Sequence, residues 1–119
     1  MIPFQLSENL SHTWFIDLDG TIFKHNGYLT NNDQLLPGVK ELWESIPIND
    51  CIIITTGRSE EYKESSLQIL KDNGLRYNHA IFDLPLGERI VVNDPKPGGL
   101  QTAIAWNVER DKGFNNAKE

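Results

Sequence analysis

The chain has one cysteine, one methionine and no apolar run longer than about four residues, as in Cys51-Ile52-Ile53-Ile54. A lone cysteine cannot close an internal disulfide. Its place inside an apolar run reads as a buried strand residue rather than a catalytic thiol. A bilayer-spanning helix needs about twenty apolar residues in a row, so no membrane segment is expected. Positive charge is also scarce: eleven Lys and Arg stand against seventeen Asp and Glu, a net charge of −6. That balance argues against nucleic acid and anionic membranes as partners. No basic stretch followed by apolar residues opens the chain, so no export signal is expected and a cytoplasmic location fits. Internal repeats and low-complexity tracts are absent. What is there, 119 residues with 39% hydrophobic and 24% charged, suits one globular domain spanning 1–119.

Thr13-Trp14-Phe15-Ile16 is a β-branched and aromatic run that ends in Asp17-Leu18-Asp19-Gly20. It reads as a buried strand feeding a tight turn. Residues 21–36 look like a short flap followed by a loop. Pro37 starts a helix to Ile46, with Val39, Leu42, Trp43 and Ile46 on one face, and Pro47 stops it. Cys51–Thr55 reads as a second strand. Ser59 is placed to cap a helix that ends at Asn73-Gly74. Ala80–Phe82 and Arg89–Val92 read as third and fourth strands, and Thr102–Trp106 as a fifth. The last ten residues are polar and are expected to fray. Strands alternating with helices predict an α/β fold. The expected form is a Rossmann-like three-layer sandwich with a mostly parallel sheet of about five strands and helices on both faces.

In such sheets ligands bind beyond the carboxyl ends of the strands. Asp17/Asp19, Thr55/Thr56 and Asn93/Asp94 each follow an expected strand. A parallel sheet carries all three to one edge. Three aspartate oxygens suit Mg²⁺, which keeps waters and takes a substrate phosphate as a further ligand. No His/Cys set has the spacing for Zn²⁺. A bare Asp-x-Asp is common in turns. Here it carries an apolar strand before it, Gly20-Thr21 after it, then Thr56-Gly57-Arg58 and Asn93-Asp94.

That set resembles the haloacid dehalogenase (HAD) superfamily of aspartate-nucleophile phosphatases, in its capless form. Asp17 to Thr21 meet the family's first motif in full, Thr56 matches the second with Thr55 as its alternative, and Asp94 matches the fourth. The likeness covers roughly residues 13 to 100. It implies a phosphomonoester hydrolase. Asp17 would attack phosphorus to form an aspartyl-phosphate, and Asp19 would serve as general acid and base. Mg²⁺ would sit on Asp17, Asp19 and Asp94. Thr56, Gly20, Thr21, Gly57 and Arg58 would surround the phosphate, with Arg58 placed to clamp a second anionic group.

The family's third motif is a Lys, sometimes Arg, that pairs with the nucleophile. Residues 83–88 offer none; Lys96 is taken first for the role and Arg89 second. Lys24 and His25 lie in the flap, near a leaving group or simply in solvent. Neither interval between motifs holds a cap domain. The substrate is expected to be small and phosphorylated, a sugar phosphate or nucleotide, with a phosphorylated polymer end as a further option. A capless member either takes a large substrate or borrows a neighbouring subunit as its lid, which favours a homo-oligomer. Two rivals stand beside this reading. A response-regulator receiver domain needs its acceptor Asp to precede the Thr along the chain, which this order does not give. A non-catalytic binder of phosphorylated metabolites is favoured by the absent third-motif Lys.

Overall fold

The computed structural model describes residues 2–114. Three strands form a parallel sheet: β1 (Thr13–Asp17), β2 (Cys51–Thr55) and β3 (His79–Ile81), in the order β1-β2-β3. Their register runs from Thr13 opposite Cys51 to Asp17 opposite Thr55, and from Ile53 opposite His79 to Thr55 opposite Ile81. Two helices make the crossovers, α1 (Val39–Ser45) and α2 (Lys63–Asp72). The α/β class with a parallel sheet is therefore present. No helix is long and apolar enough to cross a membrane among the described residues.

Strand alternation decides the layers. Ile16, Ile52 and Ile54 point into a core that also holds Val39, Leu42 and Trp43 of α1 and Leu70 of α2. The alternate residues Phe15 and Ile81 stay 58% and 44% exposed. Both helices thus pack into one core on one side of the sheet, and the other face is open. The five-strand sandwich with helices on both faces is not formed. Arg89–Val92 and Thr102–Trp106, read as strands, join no sheet. Every residue from 85 to 101 is exposed, including Ile90 and Val92 at 83% and 86%. Composition gives these runs strand character, but a strand needs a ladder with a neighbouring backbone, and among the described residues neither run makes a backbone–backbone hydrogen bond.

The helices begin and end near their expected points. Gly38 takes a φ of 79° before α1, and Gly74 one of 71° after α2. Ser59 makes no side-chain cap; a 3₁₀ turn at Glu60–Tyr62 leads into α2 instead. The C-terminal residues depart from expectation. Residues 110–114 dock rather than fray. Asp111 N–H donates to the Gly20 carbonyl (2.9 Å), Asp111 Oδ1 accepts from the His25 N–H (2.8 Å), and Phe114 N–H donates to the Pro37 carbonyl (2.8 Å). Phe114 is buried and meets the Trp106 ring edge-on. The remainder of the expected fraying segment, 115–119, lies outside the described residues.

Candidate active site

The Asp17–Thr21 turn is fixed from below. Leu18, between the two aspartates, is fully buried. Its carbonyl accepts from the N–H groups of Thr21 (3.3 Å), Ile22 (2.9 Å) and Phe23 (3.0 Å), while Gly20 N–H donates to the Phe23 carbonyl (2.7 Å). Ile22 and Phe23 are also fully buried. Burying Leu18, Ile22 and Phe23 therefore holds the turn, and Asp17 and Asp19 are displayed at the carboxyl edge of the sheet. Gly20 needs its φ of +87°, and a side chain there would press on Arg110 Cγ at 3.2 Å.

Each aspartate has its own arginine. Arg89 Nη1 lies 2.9 Å from Asp17 Oδ1, and 3.5 Å from Thr55 Oγ1. This pair is partly open to solvent, with side-chain exposures of 41% and 35%. Arg89, the second choice for a cation beside Asp17, thus meets that carboxylate. Lys96, taken first for that role, makes no ion pair among the described residues; its N–H closes a turn onto the Leu100 carbonyl. The hydroxyl beside the Asp17–Arg89 pair belongs to Thr55. Thr56 is fully buried and its hydroxyl accepts from the Arg58 N–H at 3.0 Å. The physical reason is the strand's two-residue period, which turns the two threonines to opposite sides.

Arg58 was expected at the substrate and is instead 1% exposed. Nε donates to Asp19 Oδ2 (3.1 Å), Nη2 to Asp19 Oδ1 (2.9 Å) and Asp33 Oδ1 (2.8 Å), and Nη1 to Asp33 Oδ2 (3.1 Å) and Ser66 Oγ (2.8 Å). Its centre also lies 4.2 Å from the Tyr28 ring centroid, a cation–π contact. Burial alone would lower the Arg58 pKa, but the hydrogen bonds and charges of Asp19 and Asp33 outweigh it, and the value stands above the ordinary one. Burial, then the Asp19 charge, raise the Tyr28 phenol. Asp33, Tyr28 and Ser66 escaped the sequence reading. A buried arginine must find acceptors for its donors, yet nothing in linear order says that a flap aspartate supplies them.

Gly57 sits close under Leu86, whose Cδ2 would lie 3.0 Å from a Cβ there, and Thr21 is half-buried beside the turn. Asp94 is exposed; its carbonyl accepts from the Thr102 hydroxyl at 2.6 Å. Among the described residues no group of three His, Cys, Asp or Glu is arranged to hold a metal ion. A single chain therefore does not gather Asp17, Asp19 and Asp94, and the expected Mg²⁺ set does not fit it. The physical reason is the missing fourth strand, which was to carry Asp94 to this edge.

A cleft of about 420 Å³ opens near the amino ends of the strands and is lined by Ile2, Leu6, His12, Trp14 and Asp50 among others. Asp50, 3% exposed, accepts from the His12 N–H (3.0 Å) and the Trp14 indole (3.0 Å). It ties the starts of β1 and β2 together. Comparison with protein-family models, curated proteins and solved structures finds no match to the chain.

Proposed function

We propose that this chain is a capless phosphomonoester hydrolase of the haloacid dehalogenase kind. The observation that carries the reading is the pairing of Asp17 with Arg89 at the strand end, 2.9 Å apart and partly open to solvent. A carboxylate beside a cation is a place where an incoming phosphate finds both a nucleophile and a counter-charge. A carboxylate oxygen of Asp17 attacks phosphorus. The bond from phosphorus to the ester oxygen breaks, and the leaving oxygen takes a proton from Asp19. Water then gives a proton to Asp19 and attacks the same phosphorus, releasing phosphate and restoring Asp17. Arg89 holds the phosphoryl oxygens, with the Thr55 hydroxyl next to it. The reading calls for Mg²⁺ to offset the meeting of two anions. One chain alone does not assemble the three acidic ligands.

A specific observation favours a second reading, a binder of phosphorylated metabolites. Arg58 contacts both oxygens of Asp19, which engages that carboxylate in a structural pair. Hydrolysis of an aryl phosphate separates the two. The first reading expects release of phosphate that Asp17→Asn abolishes. Binding of phosphosugars without release would favour the second. Substrate class is best read from a panel of sugar phosphates, nucleotides and phosphorylated oligomers.

A further inference from the structure

A second set of polar side chains meets at the amino ends of the strands, the edge opposite Asp17. Ser7 Oγ lies 3.1 Å from His12 Nε2. His12 Nδ1 lies 3.7 Å from Asp50 Oδ2. Asp50 is 3% exposed, and among the described residues His12 is the one basic side chain within ion-pair distance of it. Its two oxygens are anchored, Oδ1 by the His12 N–H and Oδ2 by the Trp14 indole, each at 3.0 Å. The carboxylate therefore cannot turn away from the ring. A hydroxyl, an imidazole and a buried carboxylate in this order are the parts of an activated serine.

The carboxylate decides which ring nitrogen carries the proton. An ionised Asp50 can only accept. The neutral His12 ring is therefore assigned its proton on Nδ1, the nitrogen that faces Asp50. Nε2 is left with a lone pair, and the Ser7 hydroxyl must donate to it. The contact thus polarises Oγ, beyond tying the N-terminal segment to β1. When that proton passes to Nε2, the imidazolium so formed faces an anion.

We propose that Ser7, His12 and Asp50 form a second catalytic site, which hydrolyses short-chain carboxylic esters in the cleft beside them. Ser7 Oγ attacks the carbonyl carbon as its proton passes to His12 Nε2. The bond from that carbon to the alcohol oxygen breaks, and the leaving oxygen takes the proton. Water then attacks the acyl-serine and gives a proton to Nε2, which returns it to Oγ as the carboxylic acid leaves. Asp50 is a positioning residue that orients the ring. The loop after Ser7 offers donors for the oxyanion: the N–H groups of Glu8, Asn9, Leu10 and Ser11 make no backbone hydrogen bond among the described residues, and these residues line the same cleft. Ile2, Leu6 and Trp14 give it apolar walls, and its volume of about 420 Å³ suits a small ligand. No Lys or Arg lines it among the described residues, whereas Glu8 and Asp50 do. That charge selects a neutral ester over a phosphate, so the activity is independent of the phosphatase reading.

Turnover of 4-nitrophenyl butyrate and labelling by an alkyl fluorophosphonate test this. In the second, Oγ bonds to phosphorus, fluoride leaves, and a stable adduct stays on the serine. The parent is expected to hydrolyse the butyrate, to lose that activity to one equivalent of fluorophosphonate, and to carry the adduct on the peptide containing Ser7. Ser7→Ala and His12→Gln are each expected to slow turnover by about 100-fold or more and to take no label. Both side chains are half-buried, so both variants are expected to fold, which thermal unfolding verifies. Ser7→Ala keeps His12 and so accounts for hydrolysis by the imidazole alone. A parent without turnover, an adduct on another residue, or equal rates in parent and Ser7→Ala would overturn the proposal. NMR of the ¹⁵N-labelled imidazole reads the part of Asp50. Neutral His12 is expected to carry its proton on Nδ1, and Asp50→Asn to abolish that preference. A parent ring with its proton on Nε2 would also overturn the proposal, whether or not Asp50→Asn folds.

Discussion

Arg58 and Asp19 form a nearly buried pair in which both carboxylate oxygens are held by one guanidinium, at 3.1 Å from Nε and 2.9 Å from Nη2. Asp33 completes the arrangement from the flap. The consequence is mechanical. The flap, the Asp17–Thr21 turn and the loop after β2 are joined through one side chain, which sets the direction of Asp19.

Removing that side chain strands two carboxylates. Arg58→Met is expected to destabilise the protein by about 3 kcal/mol, since breaking a buried pair from one side leaves an uncompensated charge. Thermal unfolding should then fall by roughly 10 °C. Arg58→Lys should recover only part of this, because an ammonium cannot serve both carboxylates in a fork. An unchanged melting point in Arg58→Met would show that the pair carries no structural weight.

Gly20 is required by its backbone. Its φ of +87° strains any other residue, and a Cβ there would meet Arg110 Cγ at 3.2 Å, so that side chain would have to shift slightly. Gly20→Ala is expected to cost about 1–2 kcal/mol in strain, and to move the Asp111 N–H off the Gly20 carbonyl. Denaturant titration measures the first effect, and hydrogen exchange at Asp111 the second. An alanine variant as stable as the parent, with the same protection, would contradict the account of the turn.

Asp50 stands apart from the phosphate chemistry. It accepts from His12 and Trp14 at the far edge from Asp17. Asp50→Ala leaves those donors without their acceptor, at about 1–3 kcal/mol each. The fraction that remains folded should hydrolyse phosphate esters at the parent's rate per molecule. A specific loss of kcat at full folding would place the working site at the wrong edge.

The sequence made parts of this legible for clear reasons. The run Thr13–Ile16 into Asp17-Leu18-Asp19-Gly20 announces a strand and a turn because side-chain alternation and glycine are local signals. Pro37, Pro47 and Gly74 mark helix limits in the same way. Arg89–Val92 has the same composition as a true strand, yet pairing depends on what stands beside it, and order along the chain does not carry that. Thr56 against Thr55 turned on a single residue of strand phase. Arg58 looks like a substrate clamp in the sequence because its partner Asp33 is distant along the chain and resembles an ordinary loop residue. Phe114 docks although its neighbours are polar, since one buried aromatic and two backbone bonds outweigh that local composition.

The central claim is that Asp17 is the nucleophile. Reaction with a phosphate-labelled aryl ester, quenched in acid where acyl phosphates survive, followed by peptide mapping, tests it directly. The account predicts label on the peptide that contains Asp17, released by hydroxylamine, and none in Asp17→Asn. Turnover by the parent with no label on that peptide, or equal turnover by Asp17→Asn, would contradict it.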